Sequence, residues 1–171
     1  KHDFSRIQYG IKFNWPNATG RNDIISFAMS FGLAQMFEVG YLNPAVNKKR
    51  NFGYGTFFSY QRSRRIPINT IEDKLSYITL GKDFQYNHFQ LKNSFIIRSN
   101  IHATHLITGT YSYTSVSDSV LRDNPNYFIN SKNFQNYFKI AYHFESDHRD
   151  IKAYPTNGWL IQLGASNYGL G

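Results

Sequence analysis

The chain has 171 residues, is 41% hydrophobic, and contains no stretch approaching the roughly eighteen uninterrupted apolar residues that a membrane-spanning helix needs, which excludes a helical membrane protein. Cysteine is absent, so disulfides, Cys-ligated metals and thiol nucleophiles are excluded as well. The formal charge of +8 comes from 19 Lys and Arg against 11 Asp and Glu, mostly spaced singly, with no accompanying nucleic-acid motif; anionic lipid headgroups are the expected partner and nucleic acid is not. The opening Lys1-His2-Asp3-Phe4, with neither an initiating Met nor a signal peptide, reads as a processed, truncated or partial product.

A period of two runs along the chain, the repeat of a strand with one apolar and one polar face. Ile7, Tyr9, Ile11, Phe13 and Trp15 alternate with Gln8, Gly10, Lys12 and Asn14. Ile25, Phe27, Met29, Phe31 and Leu33 follow, then Phe37, Val39 and Tyr41, then Phe52, Tyr54, Phe58 and Tyr60 against Gly53, Gly55, Ser59 and Gln61. Phe89, Leu91, Phe95 and Ile97 oppose Gln90, Lys92, Ser94 and Arg98, and Ile107, Tyr111 and Tyr113 form the next apolar row. Phe134, Phe138, Ile140, Tyr142 and Phe144 precede a last row of Trp159, Ile161, Leu163 and Ala165. About eight strands result, each near the ten residues or so that a tilted strand needs to cross a bilayer.

Short connections are expected at 16–20, 43–50, 99–103 and 151–158. The others are a tight hairpin near Ala34-Gln35-Met36, a stretch from about Arg62 to Lys74 and a longer one from Ser115 to Asn133. A soluble sandwich would turn its bulky apolar face inward. A transmembrane barrel turns it to lipid, lines its lumen with small and polar residues, and carries short turns on one rim and longer loops on the other. The small and polar character of the second face and the uneven connections favour the membrane, and the aromatic content of 18%, with 13 Tyr and 15 Phe, suits an interface where one end of a ring is apolar and the other wet.

No catalytic, cofactor or metal constellation stands out. The six His include no HExxH pair, His102 and His105 read as turn residues, and no GxSxG, phosphate loop or dinucleotide fingerprint occurs. The glycines Gly53 and Gly55 read as gaps on the polar face rather than as a phosphate cradle. The most informative stretch is Asp147-His148-Arg149-Asp150-Ile151-Lys152-Ala153-Tyr154-Pro155-Thr156-Asn157-Gly158. It ends one strand in alternating charges, turns where Pro presets φ and Asn-Gly tolerates positive φ, and leads into the next strand at Trp159. Asp147, Arg149 and Asp150 are expected to form a charge network at the rim, with Pro155, Thr156 and Gly158 shaping the turn.

This Asp-x-Arg-Asp strand end, followed by aromatic-Pro-Thr-x-Gly and a new amphipathic strand, resembles a hairpin in the barrels of BamA-like outer-membrane protein assembly factors. Asn14-Trp15 with Thr19-Gly20 looks like the first periplasmic turn of such a barrel, Tyr41-Leu42-Asn43-Pro44 like the strand end at the second, and Phe52-Gly53-Tyr54-Gly55 like the strand that follows. Asn124-Pro125 would lie in a surface loop, and the strand spacing is most similar to versions from Bacteroidetes. The resemblance implies an all-β, transmembrane antiparallel β-barrel, with residues 1–171 forming part of one outer-membrane barrel domain and about eight of its roughly sixteen strands, from the second to the ninth. No POTRA domain falls within the chain. Implied with it are a Gram-negative outer-membrane location, a non-enzymatic role in inserting nascent outer-membrane proteins, and contacts with outer-membrane lipid or lipopolysaccharide and with accessory lipoproteins. Two other readings stay open: a passive porin-like channel, and the barrel anchor of a patatin-like phospholipase.

Overall fold

A computed structural model describes residues 7–78, 83–129 and 132–169; Lys1-His2-Asp3-Phe4 lies outside them. The strands, in chain order, are β1 (Tyr9–Pro16), β2 (Ile24–Phe31), β3 (Ala34–Asn43), β4 (Phe52–Ser63), β5 (Ile66–Ile71), β6 (Lys74–Ile78), β7 (Tyr86–Arg98), β8 (Ala103–Val116), β9 (Phe134–Asp147) and β10 (Leu160–Tyr168), with one short helix, α1 (Asp118–Asp123), between β8 and β9. Eight of them form a single antiparallel sheet in the order β1-β2-β3-β4-β7-β8-β9-β10, and β5 and β6 pair only with each other. Among the described residues the two outer strands of the sheet, β1 and β10, are not paired with one another.

The register carries the alternation across the sheet. Phe13 faces Phe27, Phe27 faces Val39, Val39 faces Phe58, Phe58 faces Leu91 and Leu91 faces Tyr111, so one continuous apolar row crosses five strand pairs. Edge-to-face contacts between Phe27 and Phe37, Phe37 and Phe58, Phe58 and Phe89, and Phe89 and Tyr111 bind the row, with ring centroids 5.3–6.2 Å apart. The opposite face pairs Lys12 with Ala28, Ala28 with Glu38, Ser59 with Gln90 and Gln90 with Ser112.

Exposure is inverted relative to a water-soluble sheet. Ile11, Phe13, Phe37, Leu91, Phe95 and Leu163 on the apolar face are exposed, while Ala28, Gly40, Gly55, Thr110 and Ser112 on the polar face are buried. A soluble sandwich buries its large apolar side chains. This sheet covers its small and polar ones, the arrangement of a wall between lipid and a polar interior.

The connections fall on two rims. The strand order places residues 17–23, 44–51, 99–102 and 148–159 at one end, and 32–33, 64–78, 83–85, 117–129 and 132–133 at the other. The first set matches the turns expected from sequence. On the second rim three expectations are corrected. The tight hairpin turns at Gly32-Leu33, not at Ala34-Gln35-Met36, because Gly32 takes φ 126° and a Cβ there would lie 2.1 Å from the Ile7 carbonyl oxygen. The stretch from Arg62 to Lys74, read as a plain connection, ends β4 and then builds the β5–β6 hairpin, whose two-residue tip Glu72-Asp73 has positive φ at both positions. The stretch after Ser115 contains α1. Val120 of this helix is fully buried and packs with Ile66 and Val116, flanked by Ile68, Leu121, Tyr127 and Phe128, so the two long connections share a small apolar core above the sheet.

Candidate functional site

The β9–β10 connection is organised by two carboxylates with separate jobs. Asp147, the last residue of β9, is buried, and Arg149 grips it with both edges of its fork: Nε donates to Oδ1 at 2.8 Å and Nη2 to Oδ2 at 3.0 Å. The Arg149 backbone N–H adds a third bond to Oδ1 at 3.2 Å, and Lys152 Nζ stands 3.6 Å from Oδ2. Asp150 does not join this pair. Its Oδ1 accepts the Thr156 N–H at 3.0 Å and the Ile151 N–H at 2.8 Å, while Oδ2 accepts the Thr156 hydroxyl, and its own N–H donates to the Asn157 carbonyl at 3.1 Å. The charge network expected over Asp147, Arg149 and Asp150 is therefore Asp147, Arg149 and Lys152, with Asp150 closing the loop through Thr156 because a carboxylate at that point reaches backbone donors across the turn.

Gly158 takes φ 99°, as the sequence required, whereas Asn157 does not adopt positive φ and instead accepts the Gly158 N–H on its side-chain oxygen at 2.8 Å. Pro155 lies exposed in the middle of the loop. Three rings that the sequence reading named separately, His102 among them as the turn residue it is, stack together at the rim. His148 is stacked between His102 and Trp159, with centroids 4.1 Å away on each side. His102 Nδ1 lies 2.8 Å from the Asp147 carbonyl oxygen, which makes that nitrogen the donor and ties the 99–102 turn to the end of β9. His105 is not a turn residue: it sits in β8 on the apolar face, 2.8 Å from the Tyr142 hydroxyl and against Phe144.

Two results follow at this rim. Arg149→Ala leaves the buried Asp147 carboxylate without its bidentate partner, so a lower urea midpoint in lipid is expected, with a smaller drop for Asp147→Asn/Arg149→Ala than for Arg149→Ala alone because the double variant strands no charge. Asp150 is held down to about 2 from 3.8 by the Thr156 hydroxyl first, then by the N–H of Asn157 and other loop amides. A depressed carboxylate contributes stability that is present above the unfolded-state value and lost as pH falls through the folded one. Protease cutting in the 148–159 loop is expected to stay constant above pH about 4 and to rise between about 4 and 2, and Asp150→Asn should flatten that profile.

The neighbouring turns are anchored in the same way. Asn43 is buried, accepts the Ala45 N–H at 3.0 Å and donates to the Tyr41 hydroxyl at 3.3 Å. The Pro44 carbonyl accepts Arg98 Nη1 at 2.6 Å, so β7 holds the 44–51 turn against the polar face. Gly53 is glycine because that same Pro44 oxygen lies 2.6 Å from where a Cβ would be. At the first turn the fully buried Asp23 accepts the Thr19 N–H at 2.9 Å, and chiefly that amide holds its carboxyl below the ordinary value.

The polar face carries one apolar patch. Ile24, Leu42, Phe57, Ile96 and Leu106 surround a cavity of about 370 Å³ together with Gly40, Gly55 and Lys92. The signal in sequence is a set of adjacent apolar pairs, Ile24-Ile25, Tyr41-Leu42, Phe57-Phe58, Ile96-Ile97 and Leu106-Ile107, each of which must send one member to the polar face. Five neighbouring strands do so at one place. Among the described residues no group of three or more His, Asp or Glu is placed to hold a metal.

A search of curated proteins finds no match to this chain. Comparison with family models matches residues 17–171 to the Omp85 superfamily domain. The match runs from the first rim turn through the Asp147–Gly158 loop and β10, so it takes in seven of the sheet's eight strands, all but β1, and every site residue named above. Members of that superfamily are associated with the outer membranes of Gram-negative bacteria and of organelles, and handle the insertion or transport of proteins there. The match spans most of an all-β sheet with an exposed apolar face and a buried small-residue face, and the chain belongs to the Omp85 superfamily.

Proposed function

We propose that residues 1–171 are the supporting wall of an outer-membrane β-barrel that assembles and inserts other outer-membrane proteins, in the manner of a BamA-like insertase. The observation that carries this reading is the inverted exposure of an eight-stranded antiparallel sheet in a chain of the Omp85 superfamily. An open sheet cannot stand in lipid with bare edges, so in this reading β1 and β10 each meet a further strand, and closure at roughly sixteen strands would make this sheet about half of the barrel. The work needs no covalent chemistry. A thinned bilayer and a weak junction between the first and last strands would offer unpaired edges to an incoming strand, which adds by backbone hydrogen bonding. The eight strands of this sheet carry the interlocked pairings that keep the rest of the wall rigid while such a junction opens. Nascent outer-membrane proteins are the substrates, and the membrane is that of a Gram-negative bacterium.

The test is reconstitution of the complete protein in phosphatidylcholine vesicles, followed by addition of a urea-unfolded small barrel protein whose folded form migrates differently on unheated gels. Folding at least about tenfold faster than in empty vesicles, which corresponds to about 1.4 kcal/mol off the barrier, is expected. Folding no faster than in empty vesicles sinks the insertase reading; steady single-channel conductance or lipid hydrolysis in those vesicles would point instead to a channel or to a phospholipase anchor.

A further inference from the structure

We infer that the rim opposite Asp147 holds a binding site for a membrane lipid with an anionic phosphate headgroup, seated on β2, β3 and β4. A groove of about 270 Å³ is lined by Met29, Phe31, Phe37 and Tyr60, with Arg62 at its end. The register puts Arg62 on the apolar face, opposite Gln35 and Asn87 and two residues beyond Tyr60. A cation in that position lies where an apolar surface ends and a polar rim begins.

The guanidiniums there are fixed in place. Arg62 Nε donates to Gln35 Oε1 at 2.7 Å while its plane lies 4.1 Å from the Phe84 ring centroid. Arg64 approaches the same ring at 4.6 Å and donates from Nη1 to the Gly32 carbonyl at 3.4 Å. Arg65 stacks over Tyr77 at 4.1 Å. Stacking on Phe84 holds the Arg62 head without neutralising it. Neither Nη group of Arg62 meets a protein acceptor among the described residues, which leaves both able to donate to a phosphate. Three arginines within four residues supply the positive charge, and the groove between Phe31, Phe37 and Tyr60 supplies a trough for one acyl chain.

This inference rests on the apolar face meeting lipid, and the two can fail separately. The complete protein, purified in neutral detergent, is offered phosphatidylglycerol and phosphatidylcholine in equal amounts, and the lipids it keeps are counted by native mass spectrometry. A preference for phosphatidylglycerol of about fivefold or more is expected, the factor that one arginine near a headgroup contributes. It should fall to parity in Arg62→Gln/Arg64→Gln, and excess inorganic phosphate should not displace the lipid. Equal retention by the double variant, or displacement by phosphate alone, overturns the lipid site. Should the double variant not fold, Met29→Trp puts a reporter in the groove: quenching by phosphatidylglycerol with brominated chains supports the site, and an unquenched signal overturns it. Wild-type protein that inserts into vesicles but shows no headgroup preference refutes this site alone, whereas protein that never inserts refutes the lipid-facing reading beneath it.

Discussion

Gly158→Ala is expected to cost at least about 3 kcal/mol in the equilibrium unfolding of the protein, and to do so through two separable terms. The first is conformational, because φ 99° is territory that a residue with a Cβ seldom enters. The second is steric: the new methyl would sit 2.1 Å from the His148 carbonyl oxygen and 2.8 Å from the Arg149 Cα. Relief would spread the strand ends, and the His148 N–H bond to the Trp159 carbonyl, 2.8 Å long, would open with them. Two other glycines calibrate the terms. Gly20 has φ 79° and nothing within 4 Å of the place a methyl would take, so Gly20→Ala should lose about 1 kcal/mol through its backbone alone. Gly164 has an ordinary strand conformation and nothing nearer than 3.9 Å, so Gly164→Ala should be neutral or slightly stabilising. Urea midpoints in lipid that rank the three otherwise, with Gly158→Ala no worse than Gly20→Ala, would show that the loop relaxes and that the close approach to His148 does not matter.

Legibility from sequence divides along the same physical line. The strands and their faces were readable because a half-buried strand repeats every two residues, and the row from Phe13 to Tyr111 keeps that repeat through five pairings. Asn43, Pro44 and Gly158 were readable because a turn demands particular residues at particular φ values. What escaped depended on contacts between distant segments. Val120 and Leu121 lie in a stretch that shows no alternation, and only Ile66, 54 positions before Val120, explains the helix that buries it. Asp150 looks like a partner for Arg149 when charges are counted along the chain, yet its geometry hands it to Thr156. The stack of His102, His148 and Trp159 joins two turns that are neighbours only because β8 and β9 pair. The apolar pairs such as Phe57-Phe58 were visible, but an alternation template skips them as noise, and it takes the register to show that they converge.

Which face meets lipid is decided by Leu91→Arg set against Ile97→Arg and Gln90→Arg. Leu91 lies near the middle of β7, between Phe58 and Tyr111, and is 37% exposed; Ile97 lies on the same face beside the turn rim and is 40% exposed. Packing loss is therefore nearly equal at the two positions, and a soluble sheet would be hurt about equally by either change. A bilayer separates them, because an arginine costs about 2–4 kcal/mol at the midplane and about 0–1 kcal/mol near the interface. Gln90→Arg controls for charge at the same depth on the other face, where Gln90 already reaches Ser112 at 3.4 Å and a long cation has polar neighbours, so a small effect is expected there. Unfolding free energies measured in lipid vesicles should thus fall steeply for Leu91→Arg and little for the other two. Equal losses at Leu91 and Ile97 would mean that the apolar face packs against protein, and a larger loss at Gln90 than at Leu91 would reverse the assignment of the two faces and with it put the Phe57 cavity on the lipid side.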